Sequence, residues 1–457
     1  CALDNMAQDQ FSCPVSAMLS NAQWLRKVVI VSACIGGVLQ YGLTLDYGEI
    51  QSMLDQYYDI STTQGDTLYT WLNLGCCTLS FLPGLMYDRL GPAATIAVGT
   101  AVTLAARGYQ LSAGASVPFA NLQYVYLILG LGSSVFNVVG IFAALAPWGD
   151  EHVGKVGAAV QVALSLSFSV QSSAATSIGQ FGPYIQYATL FTACAGGAMF
   201  VSFIVLRDSL RIPATDSVLL AHDNGEPRAR SGSLVAIWKA VAQYEFVVLS
   251  VVFFASVGFS FSFLDVFYAH ITPAAGFTGG DSVGLEVVWG VLNLVGRVLG
   301  TLPLDYTRGH RWGGVWTYML GSVVTFGVGV AVLVVAPVPS MLQVHFANGI
   351  AALGYGALLA VIPVALRLHF PQEHLGLLYG VLYVWTGAAV PFWGLWSSMV
   401  PGSCSGYACY RFYCAMGCLG MLVSCLLVAV QALRESRRPV QASSRLSSIE
   451  HSKAVPA

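Results

Sequence analysis

The sequence predicts an all-α membrane protein of twelve transmembrane helices, arranged as two six-helix, pseudo-symmetric halves. Three observations predict it: a composition too apolar for a soluble chain, twelve apolar runs of spanning length, and an echo between the halves. The 457 residues are 56% hydrophobic and only 9% charged, whereas soluble domains carry about 25% charged residues. So few charges could not cover the surface of a soluble chain this long. The net charge of −2 carries no signal for nucleic acid, which is not expected as a partner.

Apolar stretches of about 20 residues number six on each side of a polar segment. The first six cover 25–47, 67–87, 92–112, 121–146, 155–178 and 184–206. The second six cover 244–268, 283–304, 313–336, 341–366, 375–399 and 409–433. The chain therefore divides into an N-terminal segment 1–24, a half at 25–206, a linker at 207–243, a half at 244–433 and a tail at 434–457. Gly and Pro are frequent inside the spans, as membrane helices allow when neighbours satisfy the freed backbone groups.

The echo is local and in register. Leu72-Asn73-Leu74 precedes Pro83, and Leu292-Asn293-Leu294 precedes Pro303, at a common interval of 220 residues (293 − 73 and 303 − 83). An acidic residue and an arginine follow each proline, Asp88 with Arg89 and Asp305 with Arg308. Repetition at this interval is the mark of two copies of one bundle. The charges keep no register: Asp88 aligns in offset with Arg308, and position 77, opposite Arg297, is a cysteine.

Orientation follows from the cations. With both termini cytoplasmic, 18 of the 20 Lys and Arg residues fall on or nearest the cytoplasmic side, Arg107 and Arg411 being the exceptions. The first outer loop is instead acidic, with Glu49, Asp55, Asp59 and Asp66. The expected place is the plasma membrane or an endolysosomal or vacuolar membrane. The chain opens on Cys1, so a fragment or processed form is expected, and residues 1–23 lack the apolar core of a cleaved signal peptide.

The polar linker is expected to be mobile and the tail, SRRPVQASSRLSSIEHSK, disordered. Asp216-Ser217-Val218-Leu219-Leu220 has the form of a DxxLL sorting signal, so trafficking adaptors are a candidate partner at Asp216, Leu219 and Leu220. Cys404 and Cys409 share a polar outer loop, with Cys414 at its edge, where a disulfide and free thiols are both open readings. No metal pattern and no cofactor are expected. His369 and His374 flank Glu373 without forming H-E-x-x-H, and Pro371 interrupts the helix that would align them. There is no P-loop, no G-x-S-x-G and no dinucleotide fingerprint, so the chain is not expected to be an enzyme or an ATP-driven pump.

GLMYDRLGP, Gly84 to Pro92, resembles the loop between helices two and three of the major facilitator superfamily. The resemblance implies that Gly84 lets helices approach closely, with Gly91 closing the loop motif. It also implies that Asp88 contacts a helix N-terminus in the other half and that Arg89 completes a charge relay. Asp305 and Arg308 are the echo of this gate. VWGVLNLVGRVLG, the run Gly354 to Gly394, and PWGDEHVGKVGAA resemble the nodulin-like branch, a neighbour of the monocarboxylate transporters. Two departures are that Pro92 and Ala93 stand where a basic residue is common, and that RDSLRIPATD lacks the acidic, proline-containing signature after span six.

The resemblance implies a secondary transporter of a small organic solute, a monocarboxylate or amino acid, working by alternating access. The alternative is a non-transporting membrane sensor or interaction protein on the same bundle. Arg297 is the foremost candidate. It lies eight residues before Asp305 (305 − 297), roughly 12 Å along a helix at about 1.5 Å per residue. A cation at that depth costs about 2.5–3.5 kcal/mol on insertion scales, so it faces a cavity or a partner. Its planar fork suits a carboxylate bidentately. A structural pair with a carboxylate or helix C-terminus in the opposite half is the competing reading.

Tyr41, Asn137, Tyr268 and Asn348 are further candidate substrate contacts, being polar groups within apolar spans, as are Gln40, Thr44, Gln161 and Gln171. Asn73 and Asn293, as symmetry mates, are expected to be structural. Asp46 and Asp265 stand at near-equivalent places in the repeat (265 − 46 is 219). They are candidate proton-coupling sites, with solvated helix ends as the competing reading.

Overall fold

A computed structural model describes residues 14–45, 47–207, 234–277, 279–307, 310, 313–336, 339–398 and 407–437. Among these, eleven helical stretches are long and apolar enough to cross a membrane. One of them, Thr62–Ser116, is 55 residues long and folds back on itself at Gly91, whose φ of 79° and ψ of 172° leave the helical region. Only glycine takes that conformation without strain, and Pro92 behind it opens the next helix, where its missing N–H costs nothing. Counting that stretch as two gives the twelve expected spans.

Span one lies within Pro14–Leu45. Span two runs from Thr62–Asn73 through a π-helical turn, Leu74–Thr78, into the helix Phe81–Ala113, which carries span three beyond Gly91. Spans four, five and six are Phe119–Leu145, Val153–Ile178 and Phe181–Val205. Span seven is built from Tyr244–Val252 and Gly258–Val266 with π-helical turns at Phe253–Val257 and Phe267–Ile271. Spans eight to twelve are Gly279–Thr301, Val315–Val335, Met341–His369, Leu375–Ser398 and Ala408–Arg437.

Four helical segments extend beyond the expected spans. The first helix begins at Pro14, inside the expected polar segment, and the last reaches Arg437. A separate helix, Tyr47–Tyr58, follows span one, and a capping box at Ser61 starts the next helix. Part of the expected linker is a short helix, Leu234–Val241. The remainder of the linker, with Asp216, Leu219 and Leu220, lies outside the described residues, as does the tail beyond 437. Cys404 lies there too, and so does the side chain of Cys409; Cys414 is a buried free thiol within span twelve.

The echo has a packing explanation. A Cβ added at Gly75 would lie 2.1 Å from the Leu127 carbonyl, and one at Gly130 would lie 2.0 Å from that of Leu72. Spans eight and ten repeat this, with Gly296 against the Leu353 carbonyl and Gly356 against that of Asn293, each at 2.1 Å for an added Cβ. The Leu-Asn-Leu stretches are thus the points where two helices of each half touch backbone to backbone. Small residues at such crossings permit the close approach that drives helix association in lipid. The halves themselves meet along spans two and eleven and along spans five and eight.

Candidate functional site between the halves

We call the face where the first helix begins and the last ends the terminal face. There two carboxylates join the halves. Asp88, at the end of span two, accepts hydrogen bonds from the backbone N–H groups of Gly376 and Leu377 at 2.9 and 2.8 Å. These are among the unsatisfied donors that open span eleven. Asp305, beyond span eight, accepts from the Gly154 and Lys155 N–H groups at the start of span five, at 2.7 and 2.8 Å. Helix N-termini favour negative charge, so both contacts join a charge-assisted bond to a favourable dipole. Gly84 is where the backbones meet, since a Cβ there would lie 2.1 Å from the Gly376 carbonyl. Arg89 is exposed and lines, with Asp88, Glu373, His374 and Ile237, a cavity of about 440 Å³ on this face. It makes no ion pair among the described residues. Arg308 lies outside them.

Above this layer stands Arg297, 5% exposed. Its Nε donates to Asn293 Oδ1 at 2.9 Å, and Nη1 donates to the side-chain and backbone oxygens of Gln161 at 2.7 and 3.2 Å. Gln161 belongs to span five, so Arg297 bridges the halves. Asn293 Oδ1 also accepts from Ser165 Oγ of span five at 2.9 Å. No carboxylate pairs with Arg297 among the described residues, and its Nη2 makes no hydrogen bond there.

Tyrosines surround this guanidinium. Tyr41, Tyr355, Tyr379 and Tyr383 all lie near enough to interact electrostatically with it. Tyr379 and Tyr383, one helical turn apart on span eleven, share a hydrogen bond at 3.3 Å. Asn137 of span four donates to Tyr383 at 3.4 Å and leaves its own buried oxygen unpartnered. Tyr41 of span one meets Cys76 of span two, with O···S at 3.1 Å. One guanidinium, several phenols and three amides thus converge where six or more helices meet. Groups of this kind can together hold one anionic group and stack against a small organic body.

Of the sequence candidates, Arg297, Tyr41 and Asn137 come together here. Tyr268 and Asn348 do not. They bond to each other at 3.3 Å, and Asn348 donates to the Leu285 carbonyl at 2.6 Å, tying spans seven, eight and ten within one half. Asn293, expected to be structural, is instead part of the site, because Arg297 sits one turn behind it on the same helix. Asn73 has no such neighbour. Asp46 and the side chain of Asp265 lie outside the described residues. Tyr355, Tyr379, Tyr383 and Ser165 were not singled out from sequence. The four-residue spacing of Tyr379 and Tyr383 was the available signal, though in an apolar span it also fits plain packing.

Every hydrogen bond between the halves among the described residues lies between the terminal face and the level of Ser165 and Asn293. Among the described residues the bundle is thus fastened at the terminal face, with no hydrogen bond between the halves towards the opposite one.

Comparison with solved structures places this architecture. The chain is similar to the proton:xylose symporter XylE bound to 6-bromo-6-deoxy-D-glucose, with a TM-score of 0.63 at 15% identity, over 88% of this chain and 95% of that one. It has the major facilitator fold. The E. coli fucose:proton symporter FucP is similar at a TM-score of 0.63 and 11% identity, over 88% of this chain and 98% of that one. The human organic anion transporter MFSD10 is similar at 0.58 and 15%, over 88% and 99%. No protein-family profile matches the chain, and no curated protein matches it by sequence.

Proposed function

We propose that this chain is a secondary-active transporter of a small organic solute bearing a carboxylate, a monocarboxylate or an amino acid, working by alternating access. The single observation that carries the reading is Arg297: a buried guanidinium on the interface between two pseudo-symmetric halves, whose Nη2 makes no hydrogen bond and which no acidic residue neutralises among the described residues. A charge held there without a counter-ion is costly unless the site exists to receive one. A substrate carboxylate would supply the counter-charge, and the tyrosines would close around its body. The major facilitator fold, shared with proteins whose structures are described as symporters and an organic anion transporter, supports transport as the use of that site.

On this reading the terminal face is cytoplasmic, in keeping with the distribution of Lys and Arg, and the conformation is closed to the cytoplasm. The chain would stand in the nodulin-like branch, near the monocarboxylate transporters, on the motifs described above. Asp46 and Asp265 are the proposed proton sites, and Asp216, Leu219 and Leu220 the proposed adaptor-binding positions.

The test begins with a thermal-shift screen of the purified protein against carboxylates, amino acids and nucleosides, because a ligand that binds the folded state raises its melting temperature. Hits are then measured for flux into proteoliposomes, in the parent and in Arg297→Ala. Carboxylate-dependent flux that Arg297→Ala abolishes at normal surface expression is the expected result. Normal transport by the variant would sink the proposal, and binding without flux would favour a sensor.

A further inference from the structure

Away from the central site, on the face opposite the termini, a second arginine is buried with no counter-ion among the described residues. Arg107, near the end of span three, is 5% exposed. Its one hydrogen bond among the described residues runs from Nη1 to Gln110 Oε1, a long 3.4 Å. Its Nε has no partner. The Gln110 amide nitrogen, the Tyr126 hydroxyl of span four and the Tyr58 hydroxyl are likewise buried and unpartnered. The Gln110 side chain comes within reach of both phenols and the Arg107 charge lies beside them, with no contact of normal hydrogen-bond geometry between Gln110 and either hydroxyl. Aromatic edges wall the cluster, with Phe181 against Tyr58 at 5.6 Å and Tyr47 against Tyr126 at 5.6 Å between ring centroids.

All four orphaned groups can donate, and one carries a full charge. Buried polar groups are almost always satisfied, so a convergence of lone donors around a guanidinium calls for an acceptor. Water would satisfy the donors but not the charge. Asp55 on the adjoining helix and Asp66 at the start of span two do not supply it. Asp66 accepts from Gln51 at 2.9 Å, Asp55 has its carboxyl pushed up by burial and then by Asp66, and neither pairs with Arg107 among the described residues.

We infer that Arg107, Gln110, Tyr58 and Tyr126 form a binding site for a small monovalent inorganic anion of the chloride class. It pins the helix Tyr47–Tyr58 onto spans three and four. The enclosure favours a single small ion over an organic acid, since all four side chains are buried. One charge matches one guanidinium, and phenol and amide donors suit a spherical acceptor that imposes no angular preference. The site stands independently of the transport reading, because it lies within one half and its occupancy is read by binding alone.

The test compares melting temperatures of the purified full-length protein in chloride and in gluconate at equal ionic strength, with bromide as a second probe. Chloride should raise the melting temperature saturably, and bromide should replace it, giving an anomalous-scattering peak between the four side chains in a crystal. Arg107→Gln should remove the chloride effect. Tyr58→Phe and Tyr126→Phe, which keep the packing, should each weaken the apparent affinity about tenfold, so the inference stays testable if the arginine variant does not fold. A melting temperature equal in chloride and gluconate would overturn it. So would an unchanged chloride effect in both phenylalanine variants, or a bromide peak elsewhere.

Discussion

Asp88 and Asp305 do the same thing in the two halves: each carboxylate receives two successive backbone N–H groups from the first turn of a helix in the other half. They are 217 residues apart (305 − 88), not the 220 that separates the Leu-Asn-Leu echoes. The three-residue offset is close to one helical turn, which keeps the carboxylate near the same side of its helix end. Out of register in sequence, the pair is in register in space. The mismatch of charges between the halves therefore does not mark specialisation at this gate. The halves differ at Arg297, opposite which stands Cys77.

Removing one carboxylate at a time should loosen the terminal face. Asp88→Asn or Asp305→Asn keeps the shape and loses the charge, and each charge-assisted bond is worth about 1.5–3 kcal/mol. Each variant should shift the population by about ten-fold or more towards a conformation open at the terminal face, and the double variant further. Spin-label distances between the terminal-face ends of spans two and eleven would read this directly. Unchanged distance distributions in the double variant would refute the latch.

Gly84→Ala should act on the same equilibrium without touching a charge. An added Cβ would collide with the Gly376 carbonyl, which belongs to helix backbone and cannot swing aside. The terminal face should then fail to close, while the state open there tolerates the methyl group. Labelling of cysteines placed along spans two and eleven should increase from the terminal side and fall from the opposite side. Gly197→Ala, a position with open space around it, is the control.

Proton coupling gives a separable outcome. If Asp46 and Asp265 carry the proton, the Asp46→Asn/Asp265→Asn double variant should transport at a rate that no longer varies with pH, whereas the parent's does. A pH profile identical to the parent's would remove both residues from the coupling reaction and leave them as solvated helix ends.

Much of this architecture was legible in the chain because lipid imposes a coarse rule, and span length and charge placement obey it. GLMYDRLGP was legible because a positive-φ glycine, a following proline and a helix-capping aspartate each require one residue type at one place. The surroundings of Arg297 were less legible. Tyr355, Tyr379 and Tyr383 are amphipathic side chains whose rings pack like any other, and only the meeting of spans eight, ten and eleven turns their hydroxyls to a common point. Asn293 joins the halves through Ser165, as its place in the repeat suggests, but its second role, holding Arg297 one turn on, shows only in the fold. The Arg107 cluster was invisible as a site, because its members come from three helices and Arg107 looked like an exception to the charge rule.

The sharpest prediction concerns what holds Arg297 in place. Its guanidinium is aimed by Asn293 on its own helix and by Gln161 across the interface, and the two contacts should fail differently. Asn293→Leu removes the bond to Nε, one that moves with the arginine, together with the Ser165 bond across the interface, so the fork loses its orientation in every conformation. Ser165→Ala, which loses the interface bond alone, is the control. Substrate affinity should fall about five- to thirty-fold, the equivalent of about 1–2 kcal/mol, whichever way the bundle faces. Gln161→Leu removes a bond that exists only while spans five and eight are together at this level. The variant should bias the protein towards separation of those spans and slow the return of the empty carrier more than it weakens binding. Counterflow, which bypasses the empty return, should therefore be spared in Gln161→Leu and impaired in Asn293→Leu. Equal impairment of counterflow and net flux in both variants would mean that Gln161 is a binding residue like Asn293 and takes no part in fastening the interface.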